Sequence, residues 1–101
     1  VAAYLARLRL AGIPAYLTAR GDATAGAVLV KCATLDGAAT AWHRSFDLMT
    51  GERAWVVLKD GPEREVDESI RKQRSFDPDL WVVEIESRDG RTLLDQEGLT
   101  G

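Results

Sequence analysis

The chain has 101 residues, with 13 lysines and arginines against 16 aspartates and glutamates and a formal net charge of −3. That balance argues against charge-driven nucleic-acid binding, which goes with a basic domain. A single cysteine excludes an internal disulfide and any multi-cysteine metal site, the one histidine would leave a zinc site dependent on carboxylates, and no apolar run is long enough to span a bilayer.

With no secretory signal in view, these figures predict one compact cytoplasmic domain over residues 1–101, frayed at 95–101, with no metal and no cofactor. Val1–Ala11 reads as an amphipathic helix: Val1, Tyr4, Leu5 and Leu8 fall on one face, and Gly12 and Pro14 end it. Ile13–Arg20 reads as a short strand with Pro14 near its start, where a strand tolerates it. A small-residue loop follows. Its Arg20, Gly21, Asp22 and Gly26, with Lys31 beyond, form a candidate anion-binding loop, because glycines let backbone amides approach an anion. It is not a phosphate loop, since the Gly-Lys-Ser/Thr ending and the following helix are absent.

The stretch from Ala27 to Asp60 predicts three antiparallel strands: Ala27–Leu35, Ala38–Phe46 and Glu52–Lys59. Asp36-Gly37 reads as a two-residue hairpin turn, a pair that reaches positive φ at low cost. That turn pairs Leu35 with Ala38, Ala33 with Thr40, Lys31 with Trp42 and Leu29 with Arg44. Across the longer second turn the best register pairs Phe46 with Arg53, Arg44 with Trp55 and Trp42 with Val57. Alternation then gives one face of small residues: Val28, Val30, Cys32, Ala39, Ala41, His43, Ala54, Val56 and Leu58. The opposite face interleaves aromatic and basic residues, among them Lys31, Trp42, Arg44, Arg53 and Trp55. A slip of one residue would exchange the faces.

Asp60–Ser75 reads as the second helix, with Pro62 in its first turn, acidic residues at its start and basic residues at its end. Its apolar stripe is thin: Val66, Ile70 and, at the edge, Phe76. Phe76-Asp77-Pro78-Asp79 breaks it. Leu80–Ser87 is a strand, Asp89-Gly90 a turn, and Arg91–Leu94 a short optional final strand. The fold class is therefore α+β: an antiparallel sheet of about four to six strands with two helices, in the order α-β-β-β-β-α-β(-β).

The order of several segments is similar to that of a known family. They are Gly21-Asp22, Ala25-Gly26-Ala27-Val28, Val30-Lys31, Phe46-Asp47-Leu48-Met49-Thr50-Gly51, Trp55-Val56-Val57-Leu58 and Phe76-Asp77-Pro78-Asp79-Leu80-Trp81-Val82-Val83-Glu84. Together they resemble a family of short bacterial proteins known as domain of unknown function 1491. The resemblance covers nearly the whole chain and is most specific at residues 46–51 and 76–82. It implies a compact bacterial, chiefly alphaproteobacterial, domain, and no activity, cofactor or site residue.

Three constellations carry candidate chemistry. Cys32 and His43 share the small-residue face and would suit a nucleophile and base, but a lone buried thiol is more often a small hydrophobe. Asp77 with Asp79, and Glu84 with Glu86, would suit acid–base work, but turn chemistry and a solvated strand face account for them. The face of Lys31, Trp42, Arg44, Arg53 and Trp55 is the third. Trp and Arg are enriched at protein hot spots, and the same pairing stacks unpaired bases. Equally, the tryptophans would serve as core with arginine stems along the rim. The sequence thus favours a non-enzymatic protein-binding or adaptor domain, with a protein partner or a second copy on that face. Nucleic acid is disfavoured by charge. The alternative is a small enzyme or nucleotide-binding protein using the Arg20–Gly26 loop with Lys31.

Overall fold

The computed structural model describes residues 2–22, 27–46, 49, 51 and 53–94. Within them the elements run α1 (Ala2–Leu10), β1 (Ala15–Ala19), β2 (Val28–Ala33), β3 (Ala38–Phe46), β4 (Arg53–Pro62), α2 (Glu63–Phe76) and β5 (Trp81–Glu86). This is the expected α+β class, with the helices and strands in the expected order. The optional strand at Arg91–Leu94 does not form; that segment is irregular.

The strands make one five-stranded sheet in the order β1-β5-β2-β3-β4. β5, the last strand in the chain, inserts between the first and second. It pairs antiparallel with β1 and parallel with β2, so the sheet is mixed and mostly antiparallel. The rest of the ladder is antiparallel.

Each helix buries one sheet face. α1 ends at Gly12, whose φ of 74° suits a residue without a Cβ, and Tyr4 and Leu8 point inward. They join Ile13, Val30, Cys32, Val83, Ile85 and Leu94 in one core cluster, with Trp42 and Trp55 packed against it. On the opposite face, Val66 and Ile70 of α2 cover Ala19, Leu29, Ala39, Ala41, Leu80 and Val82. Phe76, at the end of that stripe, stays in solvent at 76% exposure. β4 passes into α2 without a connecting loop. The chain turns at Gly61 and Pro62, and the Glu63 amide donates to the Gly37 carbonyl at 2.9 Å.

The β3–β4 register is the expected one: Phe46 faces Arg53, Arg44 faces Trp55 and Trp42 faces Val57. A bulge follows, because Ala41 faces Lys59 and Leu58 is the extra residue. The β2–β3 register is not the expected one. Ala33 faces Ala39, Lys31 faces Ala41, Val30 faces Trp42 and Leu29 faces His43. The turn is one residue longer than Asp36-Gly37. Thr34 donates its amide to the Ala38 carbonyl at 3.2 Å, and Leu35 (φ 64°) and Gly37 (φ 93°) both take left-handed conformations. The Asp36 carboxylate secures this wider loop, accepting from the Thr34 hydroxyl at 2.6 Å and the Ala38 amide at 3.1 Å. One added loop residue rotates β2 half a turn relative to β3 and β4, sending alternate side chains to the opposite face.

Candidate functional site: a tryptophan cleft and a buried lysine

The register change divides the residues expected on one basic–aromatic face. Trp42, Arg44 and Trp55 remain together on the α1 side. Lys31 lies on the α2 side and is only 3% exposed. Its ammonium donates to Asp67 at 2.6 Å and Glu63 at 2.7 Å, both on α2, and to Glu84 at 3.0 Å on β5. A lysine ammonium has three donors, and all three are used here. Burial alone would lower its pKa, but the Asp67, Glu63 and Glu84 carboxylates outweigh that and hold it well above the ordinary lysine range. Lys31 is a fixed cation tying α2 to the sheet. Its three N–H groups are committed to these carboxylates, on the face opposite Trp42 and Trp55.

That loop is also occupied at its start. The Asp22 amide, a group an anion would use, donates to the Asp79 carbonyl at 3.1 Å, and the Trp81 indole donates to the Asp22 carbonyl at 2.7 Å. Arg20 places its guanidinium 6.0 Å from the Trp81 ring centre. A Cβ at Gly21 would lie 1.9 Å from the Asp79 carbonyl oxygen, so glycine is required by close approach. Gly26 lies outside the described residues. Asp77 does turn work: its carboxylate accepts the Asp79 amide at 3.1 Å.

Cys32 and His43 were expected on one face and are separated by the sheet. Cys32 is 1% exposed in the α1-side cluster. His43 faces Leu29, which belongs to the α2 side. Burial raises the Cys32 thiol pKa, an effect the Ser87 backbone only partly offsets, so the thiol is held protonated. Among the described residues no group of histidine, cysteine, aspartate and glutamate could hold a metal ion.

On the α1 side a cleft of about 560 Å³ opens between the sheet and the segment after β5, lined by Trp42, Trp55, Gly90, Arg91, Thr92, Leu93 and Leu94. Trp42 from β3 and Trp55 from β4 form its floor; both are half-buried. The far wall is set by a turn in which the Gly90 amide donates to the Ser87 carbonyl at 3.1 Å and the Arg91 amide to the Ser87 hydroxyl at 3.0 Å. The Tyr4 hydroxyl of α1 donates to the Thr92 carbonyl, and Leu94 plugs into the core at 5% exposure. Burial, with a smaller push from Cys32, raises the Tyr4 pKa, so the phenol stays a donor. The Arg44 guanidinium lies 5.3 Å from the Trp55 ring centre, a cation–π distance, and Arg91 is exposed at the mouth. Arg53 sits opposite Phe46 at the start of β4.

Sequence reasoning picked out Trp42, Arg44 and Trp55 but missed the facing wall. The signal was the Leu93-Leu94 pair just after the Asp89-Gly90 turn, an apolar pair in a segment with little else to bury.

Fold and cleft define a small α+β domain with an aromatic–basic surface cleft. The chain belongs to the family described as protein of unknown function DUF1491, whose model matches residues 1–95. It is similar to a DUF1491 family protein from Caulobacter crescentus CB15. The crystal structure of that protein is 40% identical with a TM-score of 0.84, covering 93% of this chain and 89% of that one. Its NMR structure gives 40% identity and a TM-score of 0.83, covering 94% and 87%. A solution structure of a protein from A. tumefaciens is 28% identical with a TM-score of 0.72, covering 86% and 80%. No curated protein matches the chain. No helix among the described residues is long and apolar enough to cross a membrane.

Proposed function

We propose that the protein is a non-enzymatic binding domain that docks a protein partner in the tryptophan cleft. One observation carries this reading: two half-buried indoles floor an open cleft of about 560 Å³ with Arg91 at its mouth and Arg44 stacked on Trp55. Tryptophan and arginine in a partly desolvated pocket are the residues that concentrate binding energy at protein interfaces. Two arginines beside two indoles favour a partner segment that sets an apolar anchor next to acidic side chains. The anion-loop reading has less support, since Lys31 is committed to three carboxylates and the Asp22 amide to Asp79. We assign the domain to the cytoplasm, a reading supported by its lone, unpaired thiol.

The test compares variants side by side. Immobilised wild-type protein, Arg91→Glu and Arg44→Ala are exposed to extract of the source bacterium at low salt, and retained proteins are quantified. A species held by the wild type and lost from both variants supports the cleft. Retention unchanged in both variants removes it.

A further inference from the structure

The two edges of the sheet are protected differently. β1 is five residues long, is preceded by Pro14, and its pairing with β5 is irregular between Leu17 and Ala19. Proline, irregularity and shortness all discourage strand addition. β4 is ten residues long and, among the described residues, is the outermost strand on the other side, so one edge of its backbone faces away from the sheet. From Arg53 to Val57 its pairing with β3 is regular; the bulge comes only at Leu58. This stretch has no proline and no charge after Arg53, and exposes Val56 (38%) and Val57 (55%) on opposite faces.

We propose that this edge pairs antiparallel with β4 of a second copy of the chain, through residues 53–57 and centred on Trp55. The argument is one of symmetry and charge, and it goes beyond the cleft reading. A two-fold axis normal to the sheet keeps each face continuous, so it passes through a residue and pairs positions of like parity. Centred on Val56, it would set Arg53 opposite Lys59, a repulsive cross-strand pair. Centred on Val57, it would need Leu58 and Lys59, which lie at and beyond the bulge. Centred on Trp55, it uses only the regular stretch: Trp55 faces its symmetry mate, Ala54 faces Val56, and Arg53 faces Val57, with no like-charge pair.

That last pairing gives a test by charge. Val57 is exposed, so both substitutions leave the fold in place. Val57→Lys sets a lysine opposite the partner's Arg53 twice per dimer and should weaken association by roughly tenfold. Val57→Glu sets a carboxylate there and should hold or tighten it. Tyr16→Lys, on the other edge, and Arg91→Glu, in the cleft, should leave association unchanged. Light scattering over a dilution series reads all four. Amide exchange of the wild type should show β4 protection rising with concentration while β1 protection does not, which tests the idea even if a variant misfolds. A monomer at every concentration, equal weakening by Val57→Lys and Val57→Glu, loss on Tyr16→Lys, or concentration-independent β4 exchange overturns it.

Discussion

The two faces of the sheet draw on similar residues and end in different states. Both carry basic side chains next to apolar ones. Under α2, Lys31 is enclosed and each of its N–H groups meets a carboxylate. On the α1 side, Arg44 lies across Trp55 and Arg91 faces solvent beside an open cleft. The difference comes from cover. α2 is fourteen residues long and runs across its face, whereas α1 is nine residues long and leaves the tryptophans to a short irregular segment. The more covered face turns its cation into a structural tie, and the less covered face leaves a cleft open beside its arginines.

The largest expected effect on this contrast is in the core of the half-covered face. Leu8→Ala, at a fully buried position under α1, should cost about 2–5 kcal/mol, read from urea unfolding. A loss under 1 kcal/mol would mean that α1 contributes little and that the α1 face is open over its whole extent. Next comes the tie on the other face. Lys31→Ala should destabilise by about 3 kcal/mol, because it leaves three carboxylates facing one another without a counter-charge. The carboxylates keep part of their hydration, which holds the figure at the low end for a broken buried pair. Lys31→Met, which retains the apolar stem, should lose less. Equal losses would show that the ammonium contributes nothing beyond packing.

A smaller effect distinguishes the faces by pH. The Lys31 pKa is raised on folding, so its contribution is fully present below the ordinary lysine pKa of about 10.4 and is lost as pH rises past that value toward the folded one. Wild-type stability should therefore fall above about pH 10.4 more steeply than that of Lys31→Met. Tyr4 and Cys32, also raised, contribute the same drift to both proteins and cancel in the comparison. Parallel curves would show that the lysine charge is not coupled to folding. The smallest effect is at the cleft mouth: Arg91→Glu should change stability by less than about 0.5 kcal/mol, since the residue is exposed, while removing partner binding. A large stability loss there would make the cleft wall structural.

Much of the sheet was legible locally. β3 has the expected boundaries, and the β3–β4 pairs Arg44/Trp55 and Trp42/Val57 are those that a turn ending in Gly51 predicts. Two features were not. The Asp36-Gly37 pair favours a two-residue turn, but Asp36 also accepts from Thr34 and Ala38, and that competing arrangement widens the loop. This one-residue difference removed Lys31 from the candidate face while leaving Trp42, Arg44 and Trp55 on it. The parallel pairing of β2 with β5 has no local signature, because it joins segments far apart in the chain with α2 between them. The cleft wall escaped for the same reason: Thr92 is held by Tyr4, at the opposite end of the described chain.

The central place of β5 has a consequence for how the molecule is made. Synthesis runs from the amino terminus, yet among the described residues β1 pairs only with β5, and Tyr4 of α1 docks on Thr92. A nascent chain that has emerged through α2 can close the β2-β3-β4 ladder and lay α2 across it, because those contacts are near in sequence. Among the described residues, β1 has no sheet partner until Trp81–Glu86 leaves the ribosome. α1 and β1 are thus placed after segments made later than they are, and a chain stalled or truncated before β5 exposes the β2 edge where β5 belongs.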